Sequence, residues 1–151
     1  MAKWRIIGIM TGNSMDAIDM VLSEFDGEKI RDICNYSEPY SSTQKEMMNG
    51  LRRRVCENKM TAAKLLKDAL FMNAHWQYVE GVANAVNKMC EKFGLQKKQI
   101  DAIGFHGKTL DHNPPSMAAY NGEPPFTTQM GSAQLLANLT GIPVVGDFRS
   151  A

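Results

Sequence analysis

The sequence predicts an α/β domain with a mixed sheet, its elements running in the order β-β-β-α-α-β-α-β. Three observations carry this. Short apolar runs rich in isoleucine and valine, punctuated by Gly, Asn and Asp, lie at both ends of the chain. The first three are joined by loops too short for a helical crossover, so they form an antiparallel meander. Between residues 43 and 93 the apolar residues instead recur at helical spacing.

Trp4–Met10 is a nearly continuous apolar run and reads as a buried strand. Thr11–Asp16 is a cluster of turn formers, and Ala17–Phe25 resumes as a strand with Ile18, Met20 and Leu22 on one face. Asp26-Gly27 is a hairpin signal leading to a third strand, Lys29–Tyr40, ended by Pro39. Thr43 and Glu46 have capping-box spacing, and Met47, Leu51 and Val55 follow on one side of a helix. Thr61 reads as the next N-cap, with Met60 and Leu65 at the positions of a hydrophobic staple. Leu65, Leu66, Ala69, Leu70, Trp76, Val79, Val82, Val86, Met89 and Phe93 keep the helical period, with a break or bend expected at Gly81 and a C-cap at Gly94. Ile100–Phe105 is the next strand. A loop with Pro114-Pro115 and Pro124-Pro125 follows and has room for a small ribbon near Phe126–Met130. Ser132–Leu139 is a short helix closed by Gly141, and Ile142–Phe148 is a final buried strand. A buried strand calls for helices on both faces, so the expected unit is a domain truncated before its last helix and one half of a larger protein.

Composition narrows the function. The 151 residues suit one domain; 44% are hydrophobic and 22% charged, a globular balance. Seventeen basic against sixteen acidic residues leave a net charge of +1, which gives nucleic acid no electrostatic footprint. Cys34, Cys56 and Cys90 are odd in number and form no CxxC pair, so neither a disulfide framework nor a thiolate zinc site is indicated. No signal peptide and no membrane span is legible, and the expected location is the cytoplasm.

Three segments carry possible chemistry. Gly12-Asn13-Ser14-Met15-Asp16-Ala17-Ile18-Asp19 joins the first two strands. It is either a plain turn or a nest of backbone N–H groups that holds phosphate, with Asp16 or Asp19 reaching Mg²⁺ through water. Gly104-Phe105-His106-Gly107-Lys108-Thr109 ends a strand in Gly-Lys-Thr, but a P-loop needs glycine where Ala102 stands, so it is not one. His106 and Lys108 instead sit at the carboxyl end of a strand, where open α/β sheets put ligands; the alternative is a histidine bonded into a loop. Asp147-Phe148-Arg149 offers either an anion clamp in Arg149 or a surface ion pair. Cys56, His75 and Cys90 read as buried structural residues of helices, and Arg52-Arg53-Arg54 as a solvated helix end.

Taken in order, these segments resemble the anhydro-N-acetylmuramic acid kinase family. Ile7 to Asp19 is similar to its G-x-M-S-G-T-S-x-D-G-x-D opening, and Gly104 to Pro114 to its S-H-G-Q-T-x-x-H-x-P segment. Gln129-Met130-Gly131 resembles Q-I-G, and Thr140 to Arg149 resembles T-G-I-x-V-V-x-D-F-R. Thr11, Asn13, Ala17, Phe105 and Lys108 depart from those patterns, where the family has Ser, Thr, Gly, Ser and Gln.

The resemblance implies a ribonuclease-H-like domain of the actin-like ATPase fold, the first of two around a cleft. It implies ATP and Mg²⁺ as cofactors and an anhydro amino sugar of cell-wall recycling as substrate. It places Gly12, Asn13, Ser14, Met15, Asp16, Ala17, Ile18 and Asp19 at the phosphates, and His106, Gly107, Lys108, Thr109 and Arg149 at the sugar. The catalytic base is expected beyond Ala151, so the 151-residue chain alone is expected to be inactive. The partners implied are the second domain and the sugar, neither nucleic acid nor membrane, with a homodimer left open. Two alternatives stand beside this: a non-catalytic half-fold that binds a partner subunit, and a kinase of another sugar, to which Lys108 points by adding charge to the sugar side.

Overall fold

A computed structural model describes residues 2–12 and 14–149. Strands β1 (Trp4–Thr11), β2 (Ala17–Asp26) and β3 (Lys29–Pro39) form the antiparallel meander, with Asp26 paired to Lys29 across the tight turn. Strand β4 (Ala102–Phe105) lies parallel to β1 on its other side. The chain later returns to add a two-residue strand, Val144–Val145, called β7 below, parallel to β4. The sheet order is β3-β2-β1-β4-β7. This mixed sheet, three antiparallel strands followed by two parallel ones, is the ribonuclease-H-like arrangement.

Alternation along the strands decides what each face meets. Ile7, Ile9 and Thr11 of β1 share a face with Ile18, Met20 and Leu22 of β2 and with Ile103 and Phe105 of β4, and all are buried. Burying side chains of this size stabilises by about 1.5–3 kcal/mol each before entropy is counted. The helices pack here. Helix α1 (Ser42–Glu57) and the long helix α3 (Ala69–Phe93) contribute Met48, Leu51, Val55, Phe71, Tyr78, Val82, Val86 and Met89 to the same core. A short helix α2 (Ala62–Leu65) joins them. The opposite face is thinly covered: Trp4, Met10 and Val145 are exposed, and Phe148 approaches the position above Gly104.

The capping box of α1 is Ser41 with Gln44, two residues earlier than Thr43 with Glu46. Both pairs have the right spacing, and the chain takes the first that follows the end of β3. The helical run does not break at Gly81. It breaks between Leu65 and Ala69, where Asp68 caps α3 by accepting from Phe71 N–H at 2.9 Å. That break resets the helical phase. Leu66, Leu70 and Trp76, expected on the core stripe, are exposed, and Phe71, Ala74 and Tyr78 take their place. Arg54, at the end of α1, pairs with the same Asp68 at 2.6 Å and ties the end of α1 to the start of α3. Helix α3 closes at Gly94, with Leu95 N–H on the Cys90 carbonyl at 2.9 Å.

Two elements were not legible. Strand β5 (Lys108–Asn113) and helix α4 (Pro115–Asn121) occupy the stretch expected to be loop. Strand β6 (Phe126–Met130), the expected ribbon, pairs antiparallel with β5 as a separate two-stranded sheet. Helix α5 (Ala133–Thr140) is the expected short helix. The last strand is much shorter than Ile142–Phe148. Pro143 has no N–H to give, and Asp147 leaves extended geometry at φ 62°. Its outer part is not buried either, since Val145 and Phe148 are 54% and 53% exposed.

Candidate active site

Because β1 and β4 are parallel neighbours, their carboxyl ends emerge at the same edge of the sheet. The Gly12–Asp16 turn leaves one and His106-Gly107 leaves the other. Open α/β sheets place ligands at this edge.

The turn is held from inside. Gly12 O accepts from Met15 N–H at 3.3 Å and from Lys108 Nζ at 2.6 Å. Met15 takes the left-handed conformation at φ 54° with its side chain buried, a strained state for a residue with a Cβ. Thr11 Oγ1 donates to Gly107 O at 2.9 Å, and its single proton is thereby used. Tyr78 Oη, also 2.9 Å from Thr11 Oγ1, is therefore the donor in that bond. Burial, with the nearby Tyr40 phenol, pushes the Tyr78 phenol well above the usual tyrosine range and keeps that proton in place. Two bonds, Thr11 to Gly107 and Lys108 to Gly12, thus cross-link the turn to the β4–β5 connection.

On the far side of that connection lies a cavity of about 500 Å³ lined by His106, Gly107, Gln129, Gly131, Asp147 and Arg149. These six belong to segments singled out in the sequence; Thr127, Thr128 and Ala133, which also line it, belong to no motif. Two glycines build its wall. A Cβ on Gly107 would sit 2.5 Å from Met130 O, at φ 78°, and one on Gly131 would sit 2.9 Å from the Phe105 ring, at φ 138°. No other residue lets β5 and β6 close this tightly. Gln129 Nε2 donates to Thr109 Oγ1 at 3.3 Å across the ribbon.

His106 is half-buried, with Nε2 3.4 Å from Met10 Sδ. Its Nδ1 is buried and has no hydrogen-bond partner among the described residues. Burial, then the Arg149 charge, lowers its pKa, so at neutral pH it is an uncharged imidazole. Arg149 is exposed and joins none of the ion pairs among the described residues, so the surface Asp147–Arg149 pair is not formed.

The sequence-expected residues divide accordingly. Gly12, Ser14, Asp16, Ala17 and Asp19 line the turn and its exit into β2, and Asn13 lies outside the described residues. Met15 and Ile18 have buried side chains, so only their backbone is available there. Asp16 and Asp19 are exposed carboxylates, Asp19 accepting from Ser37 Oγ at 2.7 Å. His106, Gly107 and Arg149 share the cavity. Thr109 is buried beside it. Lys108 is not in that cavity's wall. It is 1% exposed, and its ammonium donates to Gly12 O. Sequence reasoning missed Tyr78, whose hydroxyl supports the site from α3; a tyrosine at core spacing gives no sign of its partner. Among the described residues no three His, Cys, Asp or Glu side chains converge as a metal cage. Cys90 is buried, His75 half-buried and Cys56 exposed, which corrects the reading of Cys56 as a core residue.

A second cavity, about 570 Å³, opens between the end of α1, α4 and β6, with Cys56, Met60, His112, Met117 and Phe126 in its wall. It is larger. Asp111, Asn113 and Pro114 line it as well, so with His112 part of its wall belongs to the Gly104–Pro114 segment.

The anhydro-N-acetylmuramic acid kinase family model matches residues 4–151. Curated relatives of that name include proteins of Vibrio vulnificus, Shewanella loihica and Brucella suis, each 36% identical over 147, 155 and 151 residues respectively. The matches take in 97%, 99% and 97% of this chain and 36% of each relative, so the chain spans about a third of their length. A match along nearly the whole chain, joined to a ribonuclease-H-like sheet with the motif segments gathered at one edge, establishes that the chain belongs to the anhydro-N-acetylmuramic acid kinase family.

Proposed function

We propose that this chain is the N-terminal, ribonuclease-H-like part of a cytoplasmic kinase that opens 1,6-anhydro-N-acetylmuramic acid with water and phosphorylates O6. The observation that carries this is the cross-link of the two motif segments through Thr11–Gly107 and Gly12–Lys108, which holds the turn and the cavity as one surface.

In this reading the Gly12–Asp19 turn receives the phosphates of ATP, and Asp16 and Asp19 hold Mg²⁺ through water. Mg²⁺ commonly keeps several waters and takes one or two carboxylates plus phosphate oxygens, which the exposed Asp16 of the turn and the exposed Asp19 at the start of β2 suit. ATP with its metal supplies the phosphoryl group and neutralises its charge. His106, Gly107 and Thr109 define the sugar side, where the neutral imidazole orients a hydroxyl without competing for the phosphate. Arg149, an exposed guanidinium free of ion pairing among the described residues, faces the lactyl carboxylate. Water forms a bond to C1 as the C1–O6 bond breaks; O6 takes the γ-phosphoryl group as its bond to the β-phosphate oxygen breaks and ADP leaves; one water proton passes to a carboxylate base and the other stays on the new C1 hydroxyl. No residue of this chain is given that role, and the second domain completes the cleft.

The test is an ADP-release assay on the full-length protein with ATP, Mg²⁺ and a panel of sugars. The expected result is turnover with 1,6-anhydro-N-acetylmuramic acid and none with its ring-opened form or with anhydro-N-acetylglucosamine, which lacks the carboxylate. Equal turnover of the two anhydro sugars removes the role of Arg149, and turnover of neither overturns the function.

A further inference from the structure

Lys108 is the largest of the fully buried side chains, and it is a cation. Burying an ammonium is costly unless its donors are used. Among the described residues no carboxylate pairs with it, and the bond it makes is to Gly12 O at 2.6 Å. Burial, reinforced by the Arg52 charge, pulls its pKa below the usual lysine range. A buried cation with a single neutral acceptor is not there for stability, since an apolar side chain of that size fills the space without the desolvation cost.

The bond has a definite consequence at the turn. A carbonyl is the negative end of the peptide dipole. Left outward, Gly12 O would face an approaching phosphate and repel it. Lys108 draws it into the interior, beside Met15 N–H, which reaches the same oxygen at 3.3 Å. The chain position matters too: Lys108 is the first residue of β5, directly after Gly107, which Thr11 grips at 2.9 Å.

We propose that Lys108 is a positioning residue for nucleotide, latching the Gly12 carbonyl inward so that the β1–β2 turn presents a phosphate-binding face, rather than a residue that touches the sugar. This rests on the reading of the turn as the phosphate site. Its prediction is opposite to that of a sugar ligand. Removing the ammonium raises the KM for ATP and leaves the KM for the sugar alone.

The experiment uses full-length protein with Lys108→Met and Lys108→Gln. For Lys108→Met, the KM for ATP rises about tenfold, the factor set by losing one charge-assisted hydrogen bond. The KM for the sugar stays within about twofold, and kcat changes less than the KM for ATP. Lys108→Gln, which restores a donor without the charge, recovers most of the loss. An unchanged KM for ATP in Lys108→Met overturns the proposal, as does a rise confined to the sugar. If the variants do not fold, wild-type protein decides by amine footprinting with mass spectrometry. Lys108 should methylate far more slowly than exposed Lys59, and Mg-ATP, not sugar, should slow it further. Reaction as fast as Lys59, or protection by sugar alone, overturns it. A wild-type protein that uses no ATP overturns the functional reading and the latch together; normal turnover with an unaffected Lys108→Met removes the latch alone.

Discussion

Replacing Gly107 with alanine tests the wall between the turn and the cavity. The residue sits at φ 78°, where a Cβ costs roughly 1–2 kcal/mol against the right-handed conformation. The new methyl also lands 2.5 Å from Met130 O and 3.6 Å from Gln129 Cβ. The first neighbour is backbone of β6 and cannot rotate away. Moving it means opening the β5–β6 pair at its Lys108–Met130 end, a strain of the kind that costs about 1–3 kcal/mol in overpacked sites. A total near 3 kcal/mol is the working figure, which for a chain of this size lowers Tm by roughly 6–12 °C. Gly50→Ala is the control. Gly50 lies inside α1 with nothing within 4 Å of its would-be Cβ, so alanine there should stabilise by about 0.5–1 kcal/mol. Both are read by thermal unfolding followed by circular dichroism. A Gly107→Ala protein melting within 2 °C of wild type, while Gly50→Ala behaves as described, refutes the close approach of β6 to Gly107.

Other outcomes follow from the same contacts. Ile103→Ala removes a fully buried side chain from the middle of the sheet and should cost about 2–5 kcal/mol in urea unfolding. Tyr78→Phe removes the phenol that donates to Thr11 and should cost about 1 kcal/mol while loosening Thr11; the KM values for ATP and sugar should then rise together, because Thr11 ties both segments. Arg149→Ala should raise the KM for the sugar with little change in the KM for ATP. His75 and His106 both have pKa values lowered by burial, so the unfolded chain binds protons that the folded chain refuses. Stability should therefore hold above the ordinary value of 6.5 and fall as pH drops below it, and His75→Leu should flatten part of that slope. A melting temperature constant from pH 7 to pH 5 in wild type contradicts this.

Much of the sheet was legible because β1, β2 and β4 carry the strongest signals a strand has: alternation or an unbroken apolar run, with turn formers at the ends. The misplaced features share a cause. The sequence offers two capping boxes before α1 and two plausible breaks in the long helix. Local chemistry does not rank Ser41 against Thr43, or Asp68 against Gly81. Packing does, through the end of β3 and the Arg54–Asp68 pair. Strand β5 was hidden because Lys108, Asp111, His112 and Asn113 read as loop, although Lys108, Thr109, Leu110 and Asn113 are buried.

The candidate site was legible as motifs and not as geometry. Their places at strand ends and the family resemblance brought out His106, Arg149 and the Gly12 turn, and the parallel pairing of β1 with β4 accounts for their meeting at one edge. The burial of Lys108 was not legible, because a lysine among loop-like residues gives no sign of its depth. Only the depth of β5 shows that its ammonium points back toward Gly12. Tyr78 acts through a partner far away in sequence, which no local pattern encodes.

The most direct test of the central reading is a crystal structure of the full-length protein with a non-hydrolysable ATP analogue and 1,6-anhydro-N-acetylmuramic acid bound together. The phosphates should lie against the backbone of the Gly12–Asp19 turn, with Gly12 O still turned inward to Lys108. The sugar should lie against His106, with its carboxylate on Arg149. A sugar seated instead in the cavity beside Cys56 and His112, or phosphates bound away from the turn, contradicts the account.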